Sequence, residues 1–395
     1  MTVGFLINTC EPFYRGGYER RAWNFARELA RQGHDVRIYT SCPRDETIDG
    51  VHFIRLAPPR SYFNRRGVRN GWADLLFALS ILKLLGKLKA RGLDVLDICA
   101  TPFLHLPLAA FVIRIKSIPA VLTCHEALLS SLPAYAQERG CQNPVWRWLI
   151  IQILALIYRA CTGLFANRLA VSRRTATALE KEGYPALATV EFGLEPGAFN
   201  SNPPVAPADN EPIRLIFCGR LTSIKNVSDT IAALTSPFFE KDQFRFDIIG
   251  QGSERPKLED AVRKAGLEKS VIFHHDLSDP AKCDLLAHAE IFILSSPREG
   301  FSIATLEAMA QGCAALVVSD PQNPNGATDF VQNRREGMVV PPGAAPLAAA
   351  LAVLRDDAPL RLALRHAAWQ AAQSYRIETQ TRKLVEFYRQ RHRNE

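Results

Sequence analysis

The residues most able to do chemistry lie just past strand-like runs in the second half of the chain. The run Ile213–Cys218 is apolar and ends in Gly219-Arg220, with Lys225 five residues on. Two cations beyond a strand's carboxyl end sit where a phosphate binds: Arg forks onto two oxygens and Lys adds a mobile point charge. The plain alternative is a solvated loop. The run Phe244–Ile249 leads into Gly250-Gln251-Gly252. Glycines there let a backbone come close to a ligand, or simply make a turn. The sharpest segment reads Ser295-Ser-Pro-Arg-Glu-Gly-Phe-Ser-Ile-Ala-Thr-Leu-Glu-Ala-Met-Ala. Glu299 stands in a loop, Gly300 permits a tight turn, and a helix opens near Ser302. Its free N–H groups form an anion site. Glu307 lies inside that helix, eight residues after Glu299, so the two carboxylates reach different parts of one ligand. A carboxylate accepts hydrogen bonds from sugar hydroxyls, a ribose pair included. Taken singly, Glu299 reads as a polar residue beside a helix start and Glu307 as an exposed one.

In the first half, Cys124-His125-Glu126 follows the strand-like run Ala120–Cys124. His125 therefore stands at a strand's carboxyl end, where α/β proteins bind ligands, although a lone His is more often structural. Gly16-Gly17 separates the first strand from the first helix. The spacing is not GxGxxG, and no acidic residue marks the end of the second strand. That disfavours a dinucleotide redox site. A glycine loop at a helix N-terminus can still approach a phosphate, or be an ordinary turn.

The elements that position these residues alternate. Strands fit Thr2–Asn8, Asp35–Thr40, Val51–Leu56, Val95–Cys99, Ala120–Cys124, Gly163–Val171 and Thr189–Phe192; helices fit Ala73–Ala90 and Trp146–Arg159. A first helix carries Ala22, Phe25, Ala26, Leu29 and Ala30 at i, i+3, i+4, i+7 and i+8. The run NSNPPVAPADNEP at 200–212 has no periodic pattern and reads as a linker. The alternation then restarts. Strands fit 213–218, 244–249, 271–274, 291–295 and 314–319, and helices fit 227–234, 257–265, 281–289 and 303–311. The expectation is an α/β protein of two tandem doubly wound, Rossmann-like parallel-sheet domains facing a central cleft. The 395 residues suit two domains, and 47% apolar against 22% charged residues excludes intrinsic disorder.

In that order these features resemble the retaining glycosyltransferases of the GT-B fold, family 4 (glycosyl transferases group 1). The carriers are the glycine loop at Gly16-Gly17, the strand-end His125, Gly219-Arg220 with Lys225, and Glu299 with Glu307 inside EGFSIATLEAMAQG. The resemblance implies roles. Arg220 and Lys225 bind the donor diphosphate in place of a metal ion. Glu307 holds the ribose, and Glu299 contacts the donor sugar. Gly300 and the amides of Phe301, Ser302 and Ile303 hold sugar and phosphate, and Gly219, Gly250 and Gly252 shape the donor loops. His125 sits near sugar and acceptor, and Gly17 lets the first domain's loop close on the diphosphate. It implies no cofactor beyond a UDP- or GDP-sugar co-substrate, a glycan or lipid-linked acceptor, and domains at 1–199, 213–375 and a final helix at 376–395 crossing back to the first domain. Three positions depart from the family. Asn226 stands where Gly is usual, Glu191-Phe192-Gly193 replaces Pro-Asn-Gly, and Asn325-Gly326-Ala327-Thr328-Asp329 replaces Gly-Gly-x-x-Glu. The rivals are a soluble glycoside or disaccharide synthase and a non-catalytic sugar-nucleotide-binding protein at a membrane.

Charge and cysteine content bound the setting. The net charge is +8, and residues 1–195 hold 25 Lys/Arg against 16 Asp/Glu. The excess suits an anionic membrane surface met by Arg55, Arg60, Arg65, Arg66, Arg69 (with Tyr62 and Phe63 among them) and by the helices at 73–90 and 146–159. The alternative is two core helices with solvated cations. Nucleic acid is disfavoured, since no recognition module is visible. Nine scattered cysteines without a CxxC pair fit neither a disulfide framework nor a zinc site and suit a reduced cytoplasmic setting. The longest apolar runs, Leu149–Tyr158 and Ala100–Ile113, fall short of the ~20 residues that span a bilayer, so the chain is expected to lie on a membrane at most.

Overall fold

The computed structural model describes residues 1–14, 16–59, 71–89, 92–126, 129, 132, 143–206, 211–322 and 324–392. The chain forms two compact units. One comprises residues 1–193 and 377–395, the other residues 194–376. Arg60, Arg65, Arg66, Arg69, Tyr62, Phe63 and Cys141 lie outside the described residues.

The N-terminal unit is built on one eight-stranded sheet in the order β3-β4-β2-β1-β5-β6-β7-β8. The strands are β1 (Thr2–Leu6), β2 (Asp35–Ser41), β3 (Glu46–Ile48), β4 (Val51–Ala57), β5 (Val95–Cys99), β6 (Ala120–Cys124), β7 (Arg168–Ala170) and β8 (Ala188–Thr189). All pair in parallel except the short edge strand β3, which runs antiparallel to β4. A three-residue edge strand carries too little periodicity to show in the sequence. Every residue of β5 is buried, the signature of a central parallel strand covered on both faces.

Helix α1 (Gly17–Arg31) and the final helix of the chain pack on one face of this sheet, around Trp23, Phe25, Leu29, Leu384 and Tyr388. On the other face the core holds Phe77, Leu84, Leu106, Val112 and Cys161. It is covered by α2 (Gly71–Ser80), α3 (Leu84–Lys87), α4 (Leu106–Lys116) and α5 (Pro144–Gly163), followed along the chain by α6 (Arg173–Lys181). The single helix expected over 73–90 is broken at Ser80 into α2, a 3-10 turn at Ile81–Lys83 and α3. Ser80 turns its hydroxyl back onto the Phe77 carbonyl at 2.6 Å, a local bond that competes with helix continuation. Helix α5 is longer than expected. It runs on through Gly163 because Tyr158, Cys161 and Thr162 bury the same inward face, which leaves β7 only three residues. Its 20 residues are long and apolar enough to cross a membrane by length and composition. That corrects the expectation that no apolar segment reaches this length: Arg147, Gln152 and Arg159 interrupt the run without ending the helix.

The second unit is a six-stranded, all-parallel sheet in the order β11-β10-β9-β12-β13-β14. Its strands are β9 (Ile213–Cys218), β10 (Phe244–Ile249), β11 (Val271–His274), β12 (Ile291–Leu294), β13 (Ala314–Val318) and β14 (Gly337–Val340). Its helices are α7 (Val227–Leu234), α8 (Arg255–Ala265), α9 (Asp279–His288), α10 (Ile303–Gln311), α11 (Ala344–Asp356) and α12 (Ala358–Ala372). The core between sheet and helices is Leu215, Phe217, Phe246, Ile293, Leu316 and Leu351 with their neighbours. The strand order reverses between β9 and β12. The loops after these two strands therefore leave the sheet in opposite directions and open a crevice at their carboxyl ends.

The described part of the Pro-rich run at 200–212 is held in this second unit. The Trp369 indole donates to the Asn200 carbonyl at 3.0 Å and the Arg365 guanidinium to the Val205 carbonyl at 2.9 Å. The chain then returns to the N-terminal unit as α13 (Ile377–His392). The Tyr388 hydroxyl of α13 donates to Asp97 in the middle of β5, and Thr123 donates to the same carboxylate at 2.6 Å.

Candidate active site

The β9–β12 crevice gathers most of the residues that the sequence singles out. Past β9, the Gly219 amide donates to the Ile249 carbonyl at 3.0 Å and the Leu221 amide to the Gln251 carbonyl at 2.8 Å, joining the loops after β9 and β10. The glycines make this possible. At Gly250, with φ +157°, a Cβ would lie 1.9 Å from the Gly219 carbonyl oxygen. At Gly252, with φ +158°, it would lie 2.1 Å from that of Leu221. Gly250 and Gly252 thus serve the packing of two loops. Arg220 is exposed on this platform, and Lys225 closes the 3-10 turn Ser223–Lys225 that follows. Asn226, where the family usually carries Gly, adopts the left-handed conformation at φ +51°, which Asn tolerates better than most residues. Its side chain donates to Asp229 at 2.6 Å.

Past β12, the chain lays Ser295 and Ser296 against this turn. The Ser295 hydroxyl donates to the Lys225 carbonyl at 2.6 Å, and the Ser296 hydroxyl donates to Glu299 Oε1 at 2.6 Å. Lys225 Nζ donates to that same carboxylate oxygen, closing an ion pair between the two loops. The backbone of Glu299 is fixed as well: its carbonyl accepts from the Gly326 amide at 2.8 Å. A Cβ on Gly326 would lie 2.1 Å from the Gly300 carbonyl oxygen, so only glycine admits this approach. Asn325 braces the turn, donating from Nδ2 to the Ser296 carbonyl at 2.8 Å. The segment 325–329, a departure at the level of motif, is thus the support on which the Glu299-Gly300 loop rests.

Helix α10 begins immediately after. Phe301 sends its ring into a cluster with Phe330 and Tyr375, at centroid distances of 5.0 and 6.1 Å, leaving its backbone to the site. Ser302 holds the left-handed conformation at φ +68°, with its hydroxyl 2.7 Å from that of Thr305. Ile303 opens the helix, so the amides at its N-terminus face the loop that carries Glu299. Glu307 is buried, not exposed. Its two carboxylate oxygens accept from Lys282 Nζ at 3.0 and 2.9 Å. Lys282, on α9, is the Glu307 partner that sequence reading missed. It lies 25 residues before Glu307, on a helix with no motif of its own.

The N-terminal unit places its candidates at the carboxyl ends of β1 and β6. His125 follows β6, with its ring centroid 5.7 Å from that of Tyr18 in α1. Burial, and secondarily the charge of Arg21, pushes its pKa down to about 3, so the imidazole is neutral across the physiological range. Gly16 precedes α1 in extended backbone, and Gly17 is the first helical residue. A Cβ on Gly16 would lie 2.2 Å from Glu19 Oε2. Glu19 is itself buried and accepts a 2.8 Å hydrogen bond from the Thr9 hydroxyl, so it has little room to give way.

The chemistry of these parts agrees with what the chain matches. Residues 199–371 match the family model for glycosyl transferases group 1, and residues 15–193 match that for glycosyltransferase family 4. Glycogen synthase of Mycobacterium tuberculosis is 26% identical over 367 residues, covering 88% of this chain and 84% of that protein. Among solved structures, sucrose-phosphate synthase from Thermosynechococcus elongatus matches over 100% of both chains, with a TM-score of 0.79 at 19% identity. Anabaena HepE in complex with UDP-glucose matches over 99% of this chain and 100% of its own, with a TM-score of 0.71 at 16% identity. The chain belongs to the GT-B glycosyltransferases of the family 4, group 1 type, enzymes that use nucleotide sugars.

Proposed function

We propose that this glycosyltransferase moves a sugar from a nucleoside-diphosphate donor of the UDP-sugar class to a hydroxyl of a glycan or lipid-linked acceptor, with retention of configuration and without a metal. The observation that carries the reading is the ion pair of Lys225 with Glu299, set beside Arg220 and the start of α10 at the β9–β12 crevice. The binding of UDP-glucose by HepE supports the donor class.

In this reading Arg220 and Lys225 take the diphosphate. The glycosyl–phosphate bond breaks, its electron pair goes to the leaving phosphate oxygen, and the acceptor hydroxyl attacks from the same face while its proton passes to that oxygen. Negative charge grows on the diphosphate, and fixed cations stabilise it more in the transition state than in the bound donor. Glu299 and the amides of Gly300 to Ile303 hold the sugar. Glu307 accepts from the ribose hydroxyls, kept in place by Lys282. His125 serves the sugar and acceptor as a neutral hydrogen-bonding group. No side chain is assigned as a covalent nucleophile.

The test is donor turnover with a panel of UDP- and GDP-sugars in Arg220→Ala, Lys225→Ala and Glu299→Ala. Each is expected to lose about 100- to 1,000-fold, the usual cost of removing one fixed stabiliser of developing charge. Unchanged turnover in all three variants would overturn the assignment.

A further inference from the structure

The outward faces of α2, α4 and α5 are apolar where a solvated helix would be polar. These helices neighbour one another on one face of the N-terminal sheet. Their inward sides already bury Phe77, Ala109, Val112, Tyr158 and Cys161. On α5, Trp146, Leu149, Ile150, Ile153 and Ile157 recur at i, i+3, i+4, i+7 and i+11, forming an outward stripe. Trp146 is 61% exposed, Trp148 62% and Leu156 68%. Trp72 and Leu79 extend the surface on α2, and Phe111 and Ile115 on α4. Together these side chains expose apolar area on the order of 1,000 Å², against the few hundred Å² that soluble monomers usually show.

The charge on these helices selects the occupant. Segments 71–89, 104–116 and 144–163 hold seven Lys/Arg and one acidic residue, Asp74, which is buried. Arg147 and Arg159 lie off the α5 stripe, to either side, and Arg114 and Lys116 end α4. Lys87 pairs with Asp45 at 2.9 Å. A second copy docked by two-fold symmetry would set this cationic face against itself with no exposed carboxylate on the three segments to answer it. An anionic lipid surface answers both features: acyl chains and headgroup carbonyls take the aromatic and aliphatic side chains, and the phosphates take the cations. Although α5 is long enough to span a bilayer, its buried face of Ala155, Tyr158, Cys161 and Thr162 packs on the unit, so it lies along the interface.

We propose that the α2–α4–α5 face is a membrane-docking surface for anionic lipid. It shares no residue with the proposed donor site, so its failure would leave the transferase reading intact. The test is flotation of the full chain with vesicles of phosphatidylcholine alone and of phosphatidylcholine with 30% phosphatidylglycerol, a composition set on the order of natural anionic surfaces. The expected result is binding to the anionic vesicles, weakened by salt, with a blue shift of tryptophan emission. Trp146→Ser/Trp148→Ser is expected to bind at least tenfold more weakly, and Arg114→Glu/Lys116→Glu likewise, both with unchanged melting temperature and unchanged hydrolysis of free donor. Absence of vesicle binding overturns the proposal, whether the chain is then a monomer or a dimer through this face. Equal binding by wild type and both variants also overturns it.

Discussion

The two units use charge in opposite ways. At the β9–β12 crevice of the second unit, opposite charges are paired and fixed: Lys225 meets Glu299 across two strand-end loops, and Lys282 in the first turn of α9 meets Glu307 inside α10. In the N-terminal unit, the charge excess is spread over outer helices whose faces also carry exposed tryptophan and leucine. Net charge therefore does not locate the donor site. The proposed donor site lies in the near-neutral half, as expected where a transition state is stabilised by placed donors and not by bulk potential.

The contrast can be broken first at Lys282. Lys282→Met leaves the Glu307 carboxylate buried without this cation, and we expect a loss of about 3–5 kcal/mol in urea unfolding. Lys282→Met/Glu307→Gln should recover much of that stability while still raising the KM for donor, because a neutral amide accepts from the proposed ribose hydroxyls more weakly than a carboxylate does. A single variant as stable as wild type would show that the pair is not a fixed element of the site.

Gly326→Ala comes next. The added methyl meets the Gly300 carbonyl, a backbone atom that cannot swing aside, so the Glu299 loop must shift. We expect about 1–3 kcal/mol of destabilisation together with a loss of donor turnover. Turnover equal to wild type would remove Gly326 as the support of that loop. In the N-terminal unit, Tyr388→Phe removes the hydroxyl that α13 donates to buried Asp97, and thermal unfolding should report a loss of about 1–2 kcal/mol. No loss would mean that α13 is held by its apolar side chains alone.

The smallest effect near neutrality concerns His125. Its folded pKa of about 3 lies below the ordinary imidazole value, so between the two the unfolded chain takes up the proton first. Stability from this group is complete above about pH 6.5 and declines as pH falls toward 3. His125→Asn should melt with a shallower loss between pH 7 and pH 5 than wild type. Superimposable profiles would contradict an imidazole held neutral in the folded chain.

Much of this was legible in the sequence, for a physical reason. β9, β10 and β11 have the expected limits, and β12 and β13 stop one residue short of them. Each is a short apolar run flanked by Gly or polar residues, the pattern of a fully buried parallel strand. With the strand ends fixed, Arg220, Lys225 and Glu299 fall together automatically. Lys282 was not legible because its partner is distant in sequence and nothing in α9 marks it. The supporting role of Asn325-Gly326 was hidden for a similar reason: it depends on a backbone approach that no side-chain motif encodes. The sequence reading assigns no element to β14, α11 or α12: β14 has only four residues, and the Ala-rich α11 and α12 carry a weak apolar period. The character of α5 was misjudged because three polar residues broke its apolar run, although a helix presents residues by angle and not by order.

The most direct measurement is steady-state release of UDP from a UDP-sugar by wild type and by Lys225→Ala and Glu299→Ala, both verified as folded by circular dichroism. If the paired charges at the β9–β12 crevice carry the donor chemistry, wild type turns over and each variant falls by about 100-fold or more. Turnover in both variants within a factor of about two of wild type, less than half a kcal/mol in barrier, would contradict that claim.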